Sequence, residues 1–423
     1  MRILTSPTYI SKEPLVRDLK DFICRYTSRV EKFNSAIQSA LKDGPNDMRA
    51  EGIADVDSYL RWCENLLRWV PNVTSSGDEL LRKILVLYWV FDQPAVLELQ
   101  TPIRPETSNT DLSWLSYWLV SFARQQGQFL STSESAGAIH TFYLNSKYNK
   151  EAALWEQPDS GWLSFNHWFA RCWRNIDLAR PIDFPHEDKV ISMPADSFYG
   201  GNWLIQNGEI DLNLKIKGIN YKWPIKDLLQ TTAKTWDEGH FTHSFLGPTD
   251  YHRQHAPVSG KVVEARVIQS QVYLQVAKNT TVGKIYADQA IICAPNEVTH
   301  RRGVRAQYET EGEDGENDDP HSHQKEDLDV PNDPGYQWCQ TRGLIVIQTV
   351  KYGKVAILPI GMAQVSSVVL CVNEGQEVEK GDNISYFQFG GSDCVMVFER
   401  RVNFKYSFKR KVNVRKQIAT FID

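Results

Sequence analysis

The chain has no CxxC pair, no long apolar run, no excess of positive charge and no hydrophobic leader. Each absence removes a class of function. The seven cysteines (24, 63, 172, 293, 339, 371 and 394) are odd in number and scattered. That speaks against a disulfide framework or a zinc site and for a reducing compartment. A net charge of −5 leaves no basic footprint, so no nucleic acid is expected as a partner. Met1–Ser6 lacks the apolar core of a signal peptide. The longest greasy run, Ile84–Phe91, is too short to span a bilayer and stops at Asp92. The expectation is a cytoplasmic protein. Peripheral membrane contact through an amphipathic helix stays open, and so does homo-oligomerisation.

What is present divides into two parts. At 423 residues there is room for two or three domains, and 42% hydrophobic with 23% charged residues is ordinary for a globular chain. Most of the thirteen tryptophans precede Asn175, which predicts an aromatic core there. Leu15, Leu19, Phe22, Ile23, Tyr26, Val30, Phe33 and Ile37 recur at helical spacing as one stripe. Val56 to Leu67 forms a second, and Leu80–Phe91 and Leu112–Phe129 read as further helices, with breaks at Pro71 and Pro94. A short helix over Ser164–Arg174 follows. From about Asp188 the pattern changes to short β-branched runs: Val190–Met193, Leu212–Ile216, Val262–Val267, Gln271–Val276, Ile285–Cys293, Leu344–Thr349, Val355–Ile360, Val365–Val372 and Cys394–Phe398. One helix, Ile225–Thr232, interrupts them. The fold class is therefore α+β: a helical N-terminal domain (1–155), then a mainly antiparallel β domain (156–423). Between Glu309 and Asp333, eleven acidic residues face the single Lys325, so about 303–334 reads as a disordered insertion.

Three segments carry residues suited to chemistry. Tyr386–Met396 places Gly390-Gly391-Ser392 between two strand-like runs. It reads either as a turn or as a nucleophilic serine beside an unshielded carbonyl. Asp250-Tyr251-His252-Arg253-Gln254-His255 sets two histidines three apart: a proton-moving pair, a partial metal site without a familiar third ligand, or two surface residues before Pro257. Asp196, at the tip of a strand ending near Pro194, reads as a turn cap or as the carboxylate that orients an imidazole. Together they supply an acid, a base and a nucleophile.

Phe245–Gly260, containing Gly247-Pro248-Thr249-Asp250-Tyr251-His252-Arg253-Gln254-His255-Ala256-Pro257, resembles the signature of phosphatidylserine decarboxylases. So do Phe389-Gly390-Gly391-Ser392, Val378-Glu379-Lys380-Gly381-Asp382 and Ile360-Gly361-Met362-Ala363, while Phe165–Arg171 with Arg180-Pro181-Ile182 resembles the family's lead-in. The resemblance covers roughly 160–423 in order. The N-terminal layout is similar to the fungal soluble branch, which includes tryptophan decarboxylases of the psilocybin-pathway type.

The resemblance implies a proenzyme that cuts itself between Gly391 and Ser392, leaving chains of 391 and 32 residues out of 423. It implies that His255, oriented by Asp196, activates Ser392, which becomes a pyruvoyl group and the only cofactor. It further implies that a substrate amine forms a Schiff base there and loses carbon dioxide, with His252 as proton donor and Asp250 and Tyr251 as auxiliaries. No metal is expected. A free L-amino acid, including aromatic ones such as tryptophan, is the favoured substrate, with phosphatidylserine as the alternative. A non-catalytic binding protein on the same scaffold is a third reading, since Ala256–Val262 and Glu374–Asp382 also resemble carrier-domain strand-turn patterns. Two departures stand out: Asp393 follows the serine where relatives carry threonine or serine, and Asp196 is followed by Ser197 rather than glycine.

Overall fold

The computed structural model describes residues 6–216, 219–274, 276–278, 328–329, 335–361, 368–389, 392–406 and 410–422. The expected strand Ile285–Cys293 and nearly all of the acidic insertion lie outside them.

The N-terminal part is helical as its periodicity predicts. The helix Glu79–Phe91 is buried along most of its length, which suits its nearly unbroken apolar sequence. Val56–Leu66 starts at a capping box: Asp55 accepts from the Ser58 amide at 2.8 Å and Ser58 Oγ accepts from the Asp55 amide at 2.9 Å. Trp114–Leu130 crosses the bundle, with the Trp118 indole donating to Leu15 O at 2.8 Å. The single stripe over 15–37 is instead two helices, Pro14–Cys24 and Thr27–Asp43, parted by an extended, exposed Tyr26. Arg29 explains the break. Its guanidinium caps the first helix through Phe22 O at 3.0 Å and lies 3.7 Å over the Phe22 ring.

The second part is antiparallel β, as expected. Its large sheet runs, in order, Glu377–Val378, Gly260–Ile268, Arg342–Gln348, Lys354–Gly361, Ser392–Phe398, Glu238–Leu246, Ser197–Gln206, Glu209–Ile216 and Ile219–Pro224, with Arg410–Val412 also on Ser197–Gln206. A small sheet joins Val368–Leu370, Asn383–Phe387 and Arg253–His255. A third joins Val190–Ser192, Gln417–Phe421 and Val402–Phe404.

Three expectations need correcting. The helix over Ser164–Arg174 spans only Phe165–Phe169, because Cys172 and Arg174 bond back to Glu156 and Leu154 at 2.9 Å. The helix over Ile225–Thr232 stops at Leu229, where Arg266 and Arg342 take the carbonyls of Leu229 and Leu228, each at 2.8 Å. The described residues of 271–276 form no regular strand, because the Gln340 side chain bonds both the amide and the carbonyl of Tyr273.

One apolar core extends from Val16 through the bundle and sheets to Phe421. Asp55→Ala is expected to lower stability by about 1 kcal/mol through the lost cap, read as a shift in urea midpoint without a change of slope.

Candidate functional site

The chain crosses from the small sheet to the large one immediately before Ser392. Asn383–Phe387 runs beside Arg253–His255, and Phe387 N donates to His252 O at 2.9 Å. Ser392 then enters the large sheet between Gly361 and Leu246. Between them, Phe389 N donates to Asn166 Oδ1 at 3.0 Å, and its ring packs on Phe165 and Phe169. Asn166 is itself fixed by donating to Gly127 O and Ser131 Oγ. The helical part thus grips the approach to the serine. Gly390, Gly391 and the Ser392 side chain lie outside the described residues.

The two histidines belong to the segment that pairs with the strand before this crossing. His252 is fully buried, its ring 3.8 Å from that of Phe169, and among the described residues neither ring nitrogen has a well-formed hydrogen bond, only the Asp250 backbone standing near enough to favour the charged form. Burial, reinforced by the charge of Arg171, pushes its pKa well below the ordinary 6.5, so the ring is neutral. His255 is also buried. Its Nδ1 lies 2.7 Å from Gly381 O and its Nε2 3.1 Å from Tyr251 Oη. Because a carbonyl can only accept, Nδ1 carries the proton, and the Tyr251 hydroxyl donates to Nε2. Burial lowers the His255 pKa to about 4, although Gly381 opposes the shift. Gly381 has φ +95°, where an added Cβ would meet Ile182 at 2.8 Å, so glycine is required to offer that carbonyl.

Asp196 does not orient His255, contrary to expectation. Arg180 Nε lies 2.9 Å from both of its oxygens, Nη2 lies 2.6 Å from Oδ2, and the Val414 amide donates at 2.8 Å. A buried carboxylate given a planar guanidinium takes that pairing first. The main chains nevertheless adjoin, since His255 N donates to Pro194 O at 2.8 Å. The negative charge of Asp196 also raises the pKa of Asp250 and Tyr251, in each case behind the larger effect of burial. Asp250 closes its own turn by accepting from Gly247 N at 2.8 Å, and it pairs with Lys411.

Asp393, the first departure, is fully buried. Its Oδ2 accepts from Gln337 Nε2 and His243 Nε2, each at 2.9 Å, and from the Tyr336 hydroxyl. Arg180, His243, Tyr336, Gln337 and Asn166 were missed as contributors. None stands at a spacing from its partner that a sequence pattern would show. Among the described residues no cluster of three or more metal-ligating side chains exists, and no helix is long and apolar enough to cross a membrane.

The family profile described as Phosphatidylserine decarboxylase matches residues 165–420. The chain belongs to the phosphatidylserine decarboxylase family. Its relatives include phosphatidylserine decarboxylase proenzyme 2 of Komagataella phaffii, 26% identical over 70% of this chain and 24% of that protein. Decarboxylase iboD of Amanita muscaria is 26% identical over 70% of this chain and 78% of its own. L-tryptophan decarboxylase of Psilocybe cubensis is 27% identical over 56% and 47% respectively. The chain thus matches only about a quarter of the Komagataella protein's length.

His255 takes up a proton near 6.5 when unfolded but only near 4 when folded. Between those values the unfolded state binds more protons, so stability rises with pH and is lost on acidification from about 6.5 to about 4. Urea midpoints should fall across that window, and fall less in His255→Gln. Equal losses in both proteins would refute the assignment.

Proposed function

We propose that the chain is a self-processing, pyruvoyl-dependent carboxy-lyase acting at Ser392. The observation that carries this reading is His252: a fully buried imidazole against Phe169, with no side-chain partner on either nitrogen among the described residues, beside the segment that leads into the serine. Burying an unsatisfied polar group is costly, and such groups mark functional sites.

In the first stage His255 is the base. The Ser392 oxygen adds to the Gly391 carbonyl carbon while its proton passes toward His255, with Tyr251, already donating to Nε2, the auxiliary on that path. The Gly391–Ser392 C–N bond breaks, the freed amine takes the proton, and an ester remains. Loss of the residue 392 Cα proton and cleavage of its Cβ–O bond release the Gly391 carboxylate. Water then converts the resulting enamine end to a ketone and ammonia. Asp196 contributes through Arg180, by holding the strand tip against the His255 backbone, rather than by contact with the imidazole. Once made, the pyruvoyl group supplies a carbonyl that captures a substrate amine and draws off the electrons left by departing carbon dioxide. His252 holds the proton that the product carbon receives, with Asp250 and Lys411 fixing its loop.

The favoured substrate is a free L-amino acid, aromatic and tryptophan-like, used in fungal secondary metabolism in the cytoplasm. The likeness to the Psilocybe protein supports this, as does the aromatic wall of Phe169 and Trp173 beside His252 and Tyr251. Phosphatidylserine, converted to phosphatidylethanolamine, is the second reading, favoured by the likeness to the Komagataella protein. A non-catalytic scaffold fits less well, since Ser392, His252, His255 and Asp196 are all present.

Intact-mass measurement is expected to find a short C-terminal chain with a blocked end, and Ser392→Ala should stay whole. Cleavage persisting in that variant rules out Ser392 as nucleophile. Carbon dioxide release should be faster from L-tryptophan than from phosphatidylserine vesicles, and turnover of the lipid alone would reverse the substrate assignment.

A further inference from the structure

Arg171 is a buried cation whose planar edge is largely unused. It is 5% exposed, and among the described residues it forms no ion pair. Its Cζ lies 4.3 Å from the Trp155 ring and 5.1 Å from the Trp168 ring. Those contacts set the cation over two indole rings and use none of its five N–H donors in a conventional hydrogen bond. Among the described residues Nε has no partner, and the acceptor nearest the edge is Thr249 O, at a long 3.5 Å from Nη2. A charge taken out of water normally recovers its hydration energy from a carboxylate or several acceptors. Arg180, nine residues on, does so fully, with Asp196 and Glu151. Arg171 does not. Burial brings its pKa down only to about 10, so it is charged at neutral pH.

Its location gives the vacant edge a purpose. Thr249 begins the Thr249–His252 segment, so the guanidinium edge faces the loop carrying Asp250, Tyr251 and His252. Phe169, two residues before Arg171, stacks on the His252 ring. A buried cation that feels Glu151 and Asp250 only through space, and a buried imidazole with no side-chain partner among the described residues, therefore both border one loop. We propose that Arg171 is the receiving group for an oxyanion carried by the substrate, binding it in the plane of the guanidinium between Trp155, Trp168 and the Thr249–His252 loop. Carboxylate and phosphodiester share the chemistry that a guanidinium fork recognises. A bound anion would also offset the Arg171 charge, which now disfavours protonation of His252, so substrate binding and proton supply would be coupled.

The substrate part of this proposal rests on the decarboxylase reading; the anion site does not, and the test separates them. On the uncut Ser392→Ala chain, thermal unfolding is followed against inorganic sulfate, with chloride at equal ionic strength as control. The expected result is a saturable sulfate-specific rise in Tm that Arg171→Gln abolishes, as binding to the native state requires. Arg171→Lys keeps the charge but not the fork and should need about tenfold more sulfate. Identical sulfate responses in parent and Arg171→Gln overturn the site, and so does failure of both variants to fold, which would make Arg171 a structural cation. On matured enzyme, Arg171→Lys should raise KM for an amino-acid substrate about 10- to 100-fold, the range of a charge-assisted hydrogen bond, with kcat changed far less. Inhibition by the product amine, which lacks a carboxylate, should be unaffected. If the lipid is the substrate instead, a phosphodiester anchor weakens phosphatidylethanolamine binding as well, whereas a carboxylate anchor does not. An unchanged KM for every substrate turned over sinks the proposal.

Discussion

The buried ion pair of Arg180 and Asp196 is the constraint on which the rest of the β half depends. It gathers three distant stretches: the lead-in after the Phe165 helix, the strand tip at Asp196, and the C-terminal segment through Val414 N. Arg415 adds a second tie, donating to Arg180 O at 2.9 Å while its amide bonds Met193 O at 2.8 Å. Removing one partner of a buried pair leaves a bare charge, which costs about 3–5 kcal/mol. These ties matter more if the chain is cut before Ser392. The strand Ser392–Phe398 is then held by neighbours on both sides, Arg410–Val412 by Ser197–Tyr199, and Gln417–Phe421 by Val190–Ser192. A cut at that point severs one covalent bond and leaves these ladders in place.

The helices and most β-branched strands were legible because burial and periodicity coincide in them. Glu79–Phe91 is apolar and buried, and Arg342–Gln348 and Lys354–Gly361 read as plain strands. Ser197–Gln206 and Glu238–Leu246 were not legible, although they pair across eight registered positions beside the serine strand. Their interior positions hold Ser197, His240, Thr242, His243 and Ser244, all buried, so alternation of apolar and polar residues cannot reveal them. Gly200, where a Cβ would lie 2.9 Å from His243 Nδ1, sits at a register shift that breaks the pattern further. Polar residues near a functional site are where sequence periodicity is expected to fail.

The site shows the same division. Motif order placed Asp196, His255, His252 and the serine segment in one neighbourhood, and the backbones do converge. Which groups bond to which was not legible, because partners were settled by competition among groups far apart in sequence. Arg180 outcompeted His255 for Asp196, and the glycine carbonyl at 381 took the imidazole instead. Asp393 illustrates this best. Sequence showed an anomalous acid after the serine. The structure shows it occupied by donors from two other segments, one of them Tyr336-Gln337, which directly follows the acidic insertion.

The electrostatics of the two histidines follow from these choices. Were Asp196 on His255, its charge would raise the pKa of the imidazole and strengthen it as a base. With a neutral carbonyl at Nδ1, the tautomer is fixed with no full charge attached, and burial keeps Nε2 unprotonated across the neutral range. His252 reaches neutrality by another route, apolar walls with Arg171 nearby, and keeps both nitrogens uncommitted. Two imidazoles three residues apart therefore differ in freedom rather than in charge. One is held by a carbonyl and a phenol in a single orientation, which suits the proposed base acting on one fixed bond. The other has no side-chain partner among the described residues, which suits the proposed donor of a proton to an incoming molecule.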